Sequence, residues 1–371
     1  EFRRVLFRSG AAATDLRELR IEDLLYREPV AVDMEQVRGL VAGKRVWVTG
    51  AGGSIGSELA AQLAQLGPAE LMLADASEGA LFQVERRLLE DGFEQSLKVA
   101  VLDLRDSVRV EELMRQHKPQ LIYHAAAHKH VGMMERQPRE AFANNTMLTL
   151  ALARRAVAHG VESFCLISTD KAVEPTNVMG ATKRLAEKAI KALIDSAETG
   201  STVFSMVRFG NVIGSSGSVI PIFEQQIAER RPVTVTDKAM TRYFMTIPEA
   251  VGLVLQATAF KARAALFTLD MGEPVRIDDV ARDLIRLKGL EPDVDIPVVY
   301  TGIRPGEKLH ESIHYPREAL EPTAHPKIRR VMLAAREAEA ARTFLESLEA
   351  LAREMHAKGD GAFREALFRL L

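Results

Sequence analysis

Lys44-Arg45-Val46-Trp47-Val48-Thr49-Gly50-Ala51-Gly52-Gly53-Ser54-Ile55-Gly56 decides the fold. A short apolar run enters a glycine turn, and an amphipathic stretch from Ser57 to Leu66 leaves it. That is strand, turn, helix. Gly50, Gly53 and Gly56 form GxxGxxG, wider than the GxGxxG of many dehydrogenases. The spacing still serves a dinucleotide. Gly50 permits the tight turn, Gly53 lets backbone approach a pyrophosphate, and Gly56 lets the helix pack on the strand. The helix N-terminus favours the phosphate charge. Thr49, Ser54 and Ile55 complete the predicted cradle.

The same rhythm continues outward from this loop. Leu71 to Ala74, Val99 to Leu102, Leu121 to His124, Ser163 to Ser168 and Thr202 to Phe209 read as further strands. Between them Ala80 to Glu90, Val108 to His117, Ala141 to His159 and Asn177 to Ile194 read as helices. Strands alternating with helices over short connections imply a parallel sheet covered on both faces. The predicted class is α/β, a Rossmann-type doubly wound parallel sheet with a smaller mixed α/β substrate lobe. Residues 1–43 read as an N-terminal extension with a turn at Glu28-Pro29. Residues 44–210 and 244–265 are assigned to the dinucleotide domain, the second part carrying a helix over Pro248 to Phe260. Residues 211–243 and 266–335, with scattered prolines and a Gly214 to Pro221 stretch rich in glycine and serine, are assigned to the lobe. Residues 336–371 read as a helical tail.

Bulk composition narrows the partners. Of 371 residues, 47% are hydrophobic and 27% charged, as in an ordinary globular protein. A formal net charge of −2 offers no handle to nucleic acid or an anionic membrane. No apolar stretch reaches the roughly 18 to 20 residues that span a bilayer. The single cysteine, Cys165, rules out a disulfide within the chain and fits a reducing compartment. It sits in Phe164-Cys165-Leu166-Ile167 and reads as a buried thiol. Glu1 to Gly10 reads as foreign or ragged sequence and is left out of the fold argument.

Asp75 ends the second predicted strand, where a carboxylate binds the adenosine ribose hydroxyls. Ala76, Ser77 and Glu78 follow, with no cation to compensate a 2′-phosphate. NAD is therefore favoured over NADP. Asp103-Leu104 closes the third strand and is expected to meet the adenine; capping the next helix is a further reading that does not exclude it.

Taken together, Thr49 to Gly56, His124-Ala125-Ala126-Ala127, Ser168-Thr169-Asp170-Lys171 and Met179 to Lys183 resemble the extended short-chain dehydrogenase/reductases. Arg208-Phe209-Gly210-Asn211-Val212, Thr241-Arg242-Tyr243-Phe244-Met245 and Arg304-Pro305-Gly306-Glu307-Lys308 narrow the resemblance to CapD-like nucleotide-sugar 4,6-dehydratases. It runs from about Leu19 to about Ala335.

The resemblance implies that Ala125, Ala126 and Lys183 join the cofactor site and that a UDP-sugar is the substrate. It implies a homo-oligomer. It also implies a catalytic cycle in which hydride leaves sugar C4, the C5 proton is removed, the C6 hydroxyl departs as water, and hydride returns to C6. Asp170 is implied as the acid at the C6 oxygen, Lys171 as the base at C5, and Thr169 as a hydrogen-bond partner of the C4 oxygen. A lysine base must be neutral and an aspartic acid donor protonated, so the two need opposed environments. Lys129 and His130 are placed near the sugar or nicotinamide. His128-Lys129-His130 lacks the spacing of a metal motif, and no metal is predicted. Arg242 and Arg304 are implied for the diphosphate, which a guanidinium fork suits, with Asn211 and Glu307 as polar anchors.

Two departures stand out. Gly132 occupies a position where the family usually has proline. Met179 stands where most of the superfamily has the tyrosine that takes the C4 hydroxyl proton, while Lys183 is retained four residues on. Methionine cannot exchange a proton. Either oxidoreductase activity is lost, or Thr169, Asp170 or Lys171 carries that proton, as in a membrane-anchored subgroup that also has methionine here. The favoured activity is dehydration of UDP-N-acetylglucosamine. A UDP-sugar 4-epimerase and a non-catalytic NAD-binding sensor are the alternatives. Leu19 to Asp33 resembles the linker to an N-terminal membrane domain in longer relatives. That implies a cytoplasmic catalytic portion of a membrane-anchored protein.

Overall fold

The structure, a computed structural model, describes residues 31–260, 265–316 and 318–371. The predicted turn at Glu28-Pro29 and most of the Leu19 to Asp33 stretch lie outside the described residues. Six strands follow in order: β1 Arg45–Thr49, β2 Glu70–Asp75, β3 Leu97–Val101, β4 Leu121–His124, β5 Ser163–Ile167 and β6 Val203–Arg208. Then come β7 Asn211–Val212, β8 Val233–Val235, β9 Thr241–Arg242, β10 Phe244–Met245, β11 Ala265–Leu269, β12 Val275–Arg276, β13 Val298–Tyr300, β14 Leu320–Pro322 and β15 Ile328–Val331.

The main sheet has nine strands in the order β14-β15-β11-β6-β5-β4-β1-β2-β3. From β3 to β11 every pairing is parallel, and β15 and β14 close one edge antiparallel. The 3-2-1-4-5-6 core is the Rossmann-type doubly wound arrangement, with its switch point between β1 and β4. Because helices cover both faces, the central strands are apolar throughout. Val46, Trp47 and Val48 of β1 and Phe164, Cys165 and Leu166 of β5 are all buried. Fully burying one such side chain stabilises by about 1.5–3 kcal/mol.

One face packs on Ser54–Ala64 and Ile247–Ala259. The second of these helices is apolar all round, and every residue from Ala250 to Ala259 is buried. Thr246 and Glu249 form a capping box at its start. The other face packs on Val178–Asp195, whose start Asn177 caps by accepting from the Gly180 N–H at 2.7 Å. The tail helices Ala338–Glu354 and Asp360–Arg369 lie against that layer, Phe363 meeting Phe142 edge-on at 5.6 Å.

Two expectations need correction. The lobe was drawn through 266–335, but β11, β14 and β15 belong to the main sheet: Leu266 and Phe267 of β11 pair with β6, Ile328 of β15 pairs with Leu269 of β11, and all three are buried there. The lobe itself is three two-stranded ladders, β7 with β10, β9 with β12 and β8 with β13. Phe223, Ile227, Leu284 and Ile285 fill its core. Secondly, the long helix predicted from Ala141 is two α-segments, Pro138–Phe142 and Leu148–Ala158, joined by a π-turn over Ala143–Met147.

Candidate active site

The glycine loop folds against the end of β4. Gly50 has φ +69°, and a Cβ there would lie 2.5 Å from the Ala126 nitrogen. Only glycine suits both the conformation and the space. At Gly56 a Cβ would lie 2.0 Å from the Gly50 oxygen, so helix and turn touch backbone to backbone. No side chain caps the helix Ser54–Ala64 at Gly53. Its first-turn amides are thus available to an anion. Asp75 meets this loop directly: the Gly52 N–H donates to its Oδ2 at 2.9 Å and the Ser77 N–H to its Oδ1 at 2.8 Å. Asp103 lies further out, chelated by Arg105, whose Nη1 also reaches Glu140 at 2.9 Å. The hydrogen bonds from Arg105 hold the Asp103 carboxyl below its ordinary range. Leu104 packs against the core on that side. The helix Ser107–His117 is capped by Asp106, so the capping alternative for Asp103 is not realised.

Beneath the loop, Thr49 Oγ1 lies 2.7 Å from His124 Nδ1, and His124 Nε2 lies 3.0 Å from Thr149 Oγ1. Thr149 spends its proton on the Asn145 carbonyl at 2.8 Å. His124 therefore donates from Nε2 and accepts at Nδ1. Burial, reinforced by the charge of Lys183, pushes this imidazole down to about 3, so it is neutral.

At the end of β5 the chain turns toward β6: the Asp170 N–H donates to the Phe209 carbonyl at 3.0 Å. Asp170 is fully buried. Its Oδ1 accepts from Thr169 Oγ1 at 2.8 Å and from Lys171 Nζ at 3.0 Å. Its Oδ2 has no hydrogen-bond partner among the described residues and lies near Gly210. Lys171 Nζ also donates to Asn211 Oδ1 at 2.9 Å. The resemblance implied Asn211 as a polar anchor, and the structure puts its amide oxygen on Lys171 Nζ.

Lys183 enters the same region from Val178–Asp195 and donates to the Ile167 carbonyl at 2.6 Å. Burial pushes its ammonium down to about 8. Met179 is 4% exposed and packs with Met134, Ala141 and Val178. An apolar side chain thus fills the expected tyrosine position. Lys129 and His130 are on the exposed rim. Burial of part of the chain and the charge of Lys171 lower the Lys129 ammonium, and burial followed by the charge of Lys129 lowers His130. A Cβ at Gly217 would meet the His130 ring at 2.6 Å, so His130 rests on the Gly214–Ser218 loop. That loop also reaches the glycine turn, where the Ser216 N–H donates to Ser54 Oγ at 3.1 Å.

The lobe residues sit further along. Arg242 donates to the carbonyls of Thr241, Leu309 and Lys308 at 2.7, 3.2 and 2.9 Å, bracing the segment that carries Arg304. Arg304 is exposed, and its N–H donates to Glu307 Oε2 at 3.4 Å. Gly306 joins this turn to the site, because Asn177 Nδ2 donates to its carbonyl at 3.0 Å.

Residues 46–333 match the model of the family described as "Polysaccharide biosynthesis protein". The chain belongs to that family. It is 47% identical over 317 residues to the probable polysaccharide biosynthesis protein EpsC of Bacillus subtilis, covering 85% of this chain and 52% of EpsC. The chain thus spans about half the length of that relative. It is 31% identical over 274 residues to a UDP-glucose 4-epimerase of Rickettsia rickettsii, covering 73% of this chain and 77% of that protein. Among solved structures it resembles Pen from Bacillus thuringiensis, with a TM-score of 0.73 and 30% identity, covering 80% of this chain and 90% of Pen.

Two parts of the candidate site went unread in the sequence. Asn145, in the π-turn, accepts from the His128 N–H at 2.8 Å and donates to the His128 carbonyl at 3.0 Å and to Thr182 at 3.1 Å. It pins the segment after β4 to the Lys183 helix. The signal was a pair of asparagines inside an apolar helix, where each needs a partner. The second part is a buried ionic network. Arg208 is fully buried and grips Glu187 through Nε and Nη2 at 2.8 and 2.7 Å and Glu318 through Nη1 at 2.8 Å. Ser168 Oγ donates to Glu187 at 2.6 Å, which ties the network to the strand end carrying Asp170. Burial would raise the Glu187 carboxyl, but Arg208, Arg184 and Ser168 together hold it below the usual range. Among the described residues, no group of three or more His, Cys, Asp or Glu is arranged to hold a metal, and no helix is long and apolar enough to cross a membrane.

Proposed function

We propose that the chain is an NAD-dependent nucleotide-sugar 4,6-dehydratase acting on UDP-N-acetylglucosamine. The observation that carries this reading is the buried Asp170 carboxylate. One oxygen is held by Thr169 and Lys171 while the other has no partner among the described residues. An unpaired buried acceptor is costly, and such exceptions tend to do chemistry.

The cradle fits a dinucleotide, because Gly50 and Gly56 leave no room for a Cβ and the Ser54–Ala64 N-terminus has no side-chain cap. Thr49, Gly53, Ser54 and Ile55 line the pyrophosphate, Ala125 and Ala126 floor the site, and Asp103 and Leu104 flank the adenine. Asp75 takes the ribose hydroxyls. Its carboxylate, already anchored on Gly52, disfavours a 2′-phosphate and so selects NAD. Lys183 holds the nicotinamide ribose. The bound nicotinamide supplies hydride transfer in both directions.

The protein supplies the protons. The C4 hydroxyl proton passes through Thr169 to Asp170, the route left when Met179 replaces tyrosine. Lys171, steadied by Asn211, takes the C5 proton and later returns it. Asp170 delivers its proton to the C6 oxygen, which leaves as water. The product is the 4-keto-6-deoxy sugar nucleotide. Arg304 meets the diphosphate, with Arg242 and Glu307 shaping its turn, and Lys129 and His130 border the sugar. This chemistry belongs in the cytoplasm, where nucleotide sugars are made.

The likeness to a 4-epimerase favours a second reading, inversion at C4. Incubation with UDP-N-acetylglucosamine and mass spectrometry separates the two. Loss of one water is expected. Inversion without mass change supports the epimerase, and cofactor binding without turnover supports a sensor.

A further inference from the structure

Between Asp170-Lys171 and the helix Val178–Asp195 runs a short loop, Ala172 to Asn177. Glu174 in this loop has φ +42°, the left-handed region in which a side chain is strained. Pro175 follows it, and a residue before proline is pushed toward extended backbone. Glu174 is exposed, so burial of its own side chain does not fix the conformation. A strained turn persists where its surroundings over-determine it, and such turns gather at functional sites.

Bonds on both sides of Glu174 come from one segment, Gly306 to Tyr315. Lys308 Nζ donates to the Val173 carbonyl at 2.8 Å, and the Tyr315 hydroxyl donates to the Ala172 carbonyl at 3.2 Å. Beyond Glu174, the Gly306 carbonyl accepts from Thr176 Oγ1 at 3.3 Å and from Asn177 Nδ2 at 3.0 Å. Ala172 and Val173 are fully buried, so their carbonyls depend on these donors. The Lys308 side chain is only 15% exposed, and its ammonium also faces the Glu311 carboxylate at 3.9 Å. The clasp is tied to the lobe, since Arg242 Nη2 donates to the Lys308 carbonyl at 2.9 Å.

We infer that Lys308 is a positioning residue for the reaction: by holding the Val173 carbonyl it keeps the strained Glu174 turn, and with it Asp170 and Lys171, in register. The link to the pair is short, because the Val173 N–H donates to the Asp170 carbonyl at 2.9 Å across one turn of 3₁₀ helix. Without the ammonium, the Val173 carbonyl is stranded and Glu174 relaxes toward extended backbone. The turn carrying the acid and the base then shifts. This role rests on the dehydratase reading, in which Arg304, four residues before Lys308, meets the diphosphate. The stretch that receives the substrate thus also sets the acid–base turn.

The test is Lys308→Met in the whole chain, saturated with NAD and given UDP-N-acetylglucosamine. The kcat for water loss should fall about tenfold or more, the effect of stranding one buried carbonyl. KM should stay within about twofold of wild type, because the loss falls on the acid–base turn and not on Arg304. NAD affinity should be unchanged. Adding Glu174→Gly should return kcat toward the wild-type value, since glycine holds φ +42° without strain and needs no clasp. That change would not cure a stranded Glu311 charge, so the recovery isolates the clasp. Wild-type kcat in Lys308→Met, a loss carried by KM, or no recovery with Glu174→Gly overturns the role. Backbone hydrogen exchange gives a readout independent of turnover. In Lys308→Met the Val173 amide should exchange about tenfold or more faster, with the glycine loop unchanged. Unchanged exchange at Val173 overturns the clasp. If the wild-type chain removes no water, the dehydratase reading fails, and exchange at Val173 still decides whether Lys308 holds the turn.

Discussion

Lys171 Nζ stands 3.0 Å from Asp170 Oδ1, so an amine and a carboxyl adjacent in sequence are joined by one hydrogen bond just beyond the end of β5. Asp170→Asn and Lys171→Ala should each lower kcat by about a hundredfold or more, the scale of general acid–base catalysis. NAD affinity should be unchanged, since neither side chain touches the glycine cradle. Near-native dehydration by either variant would remove the pair from the mechanism.

Gly56→Ala tests the cradle. The new methyl would sit 2.0 Å from the Gly50 carbonyl oxygen, a backbone atom that cannot swing away. The turn must open, and NAD affinity should fall about tenfold or more as phosphate contacts lengthen. Equilibrium titration with NAD measures it, and wild-type affinity would show that the loop is not the phosphate site.

On the proposed reading, Lys183 gives cofactor binding a pH dependence. Its ammonium is pushed down to about 8, and the charged form is the one that favours a ribose and a pyrophosphate. NAD affinity should hold below pH 8 and weaken as pH rises through that value. In Lys183→Met the affinity should be low and flat over the same range.

His124 sets a pH dependence of stability. Its folded value is about 3 against an unfolded 6.5, so only the unfolded chain takes up the proton between them. The stability His124 contributes is full above 6.5 and is lost as pH falls toward 3. His124→Gln should be less stable at neutral pH, with a shallower fall in melting temperature from pH 6.5 to 4. An unchanged slope would mean the imidazole is not the titrating group.

Arg208→Met should cost about 3–5 kcal/mol, because it strands Glu187 as a buried charge without its main partner. Urea unfolding measures this. The double variant Arg208→Met with Glu187→Met should recover part of the loss. A single variant as stable as wild type would make the network dispensable.

Much of this was legible in local sequence, and the rest was not, for physical reasons. Gly50, Gly56 and Asp75 answer to constraints within one strand-turn-helix-strand unit, β1 to β2, so local spacing picks them out. Asp170 and Lys171 open the turn just past β5, a strand whose apolar run is unmistakable. By contrast, β11 and β15 are short apolar runs whose sheet membership depends on partners far along the chain, and nothing local separates them from lobe strands. Arg242 reads as a free cation, yet three carbonyls from two segments occupy it. Glu187, Arg208 and Glu318 are ordinary charges in sequence and become one buried cluster only when helix, strand and loop meet.

The π-turn over Ala143–Met147 carries one residue more than an α-helix needs for the same rise. Remove that residue and everything before it rotates by about 100° around the helix axis. Asn145 would then leave His128 and Thr182, and Phe142 would turn away from Phe363. This segment therefore has a fixed length: a single-residue deletion here dismantles the wall beside Lys183 and the seat of the tail helix at once.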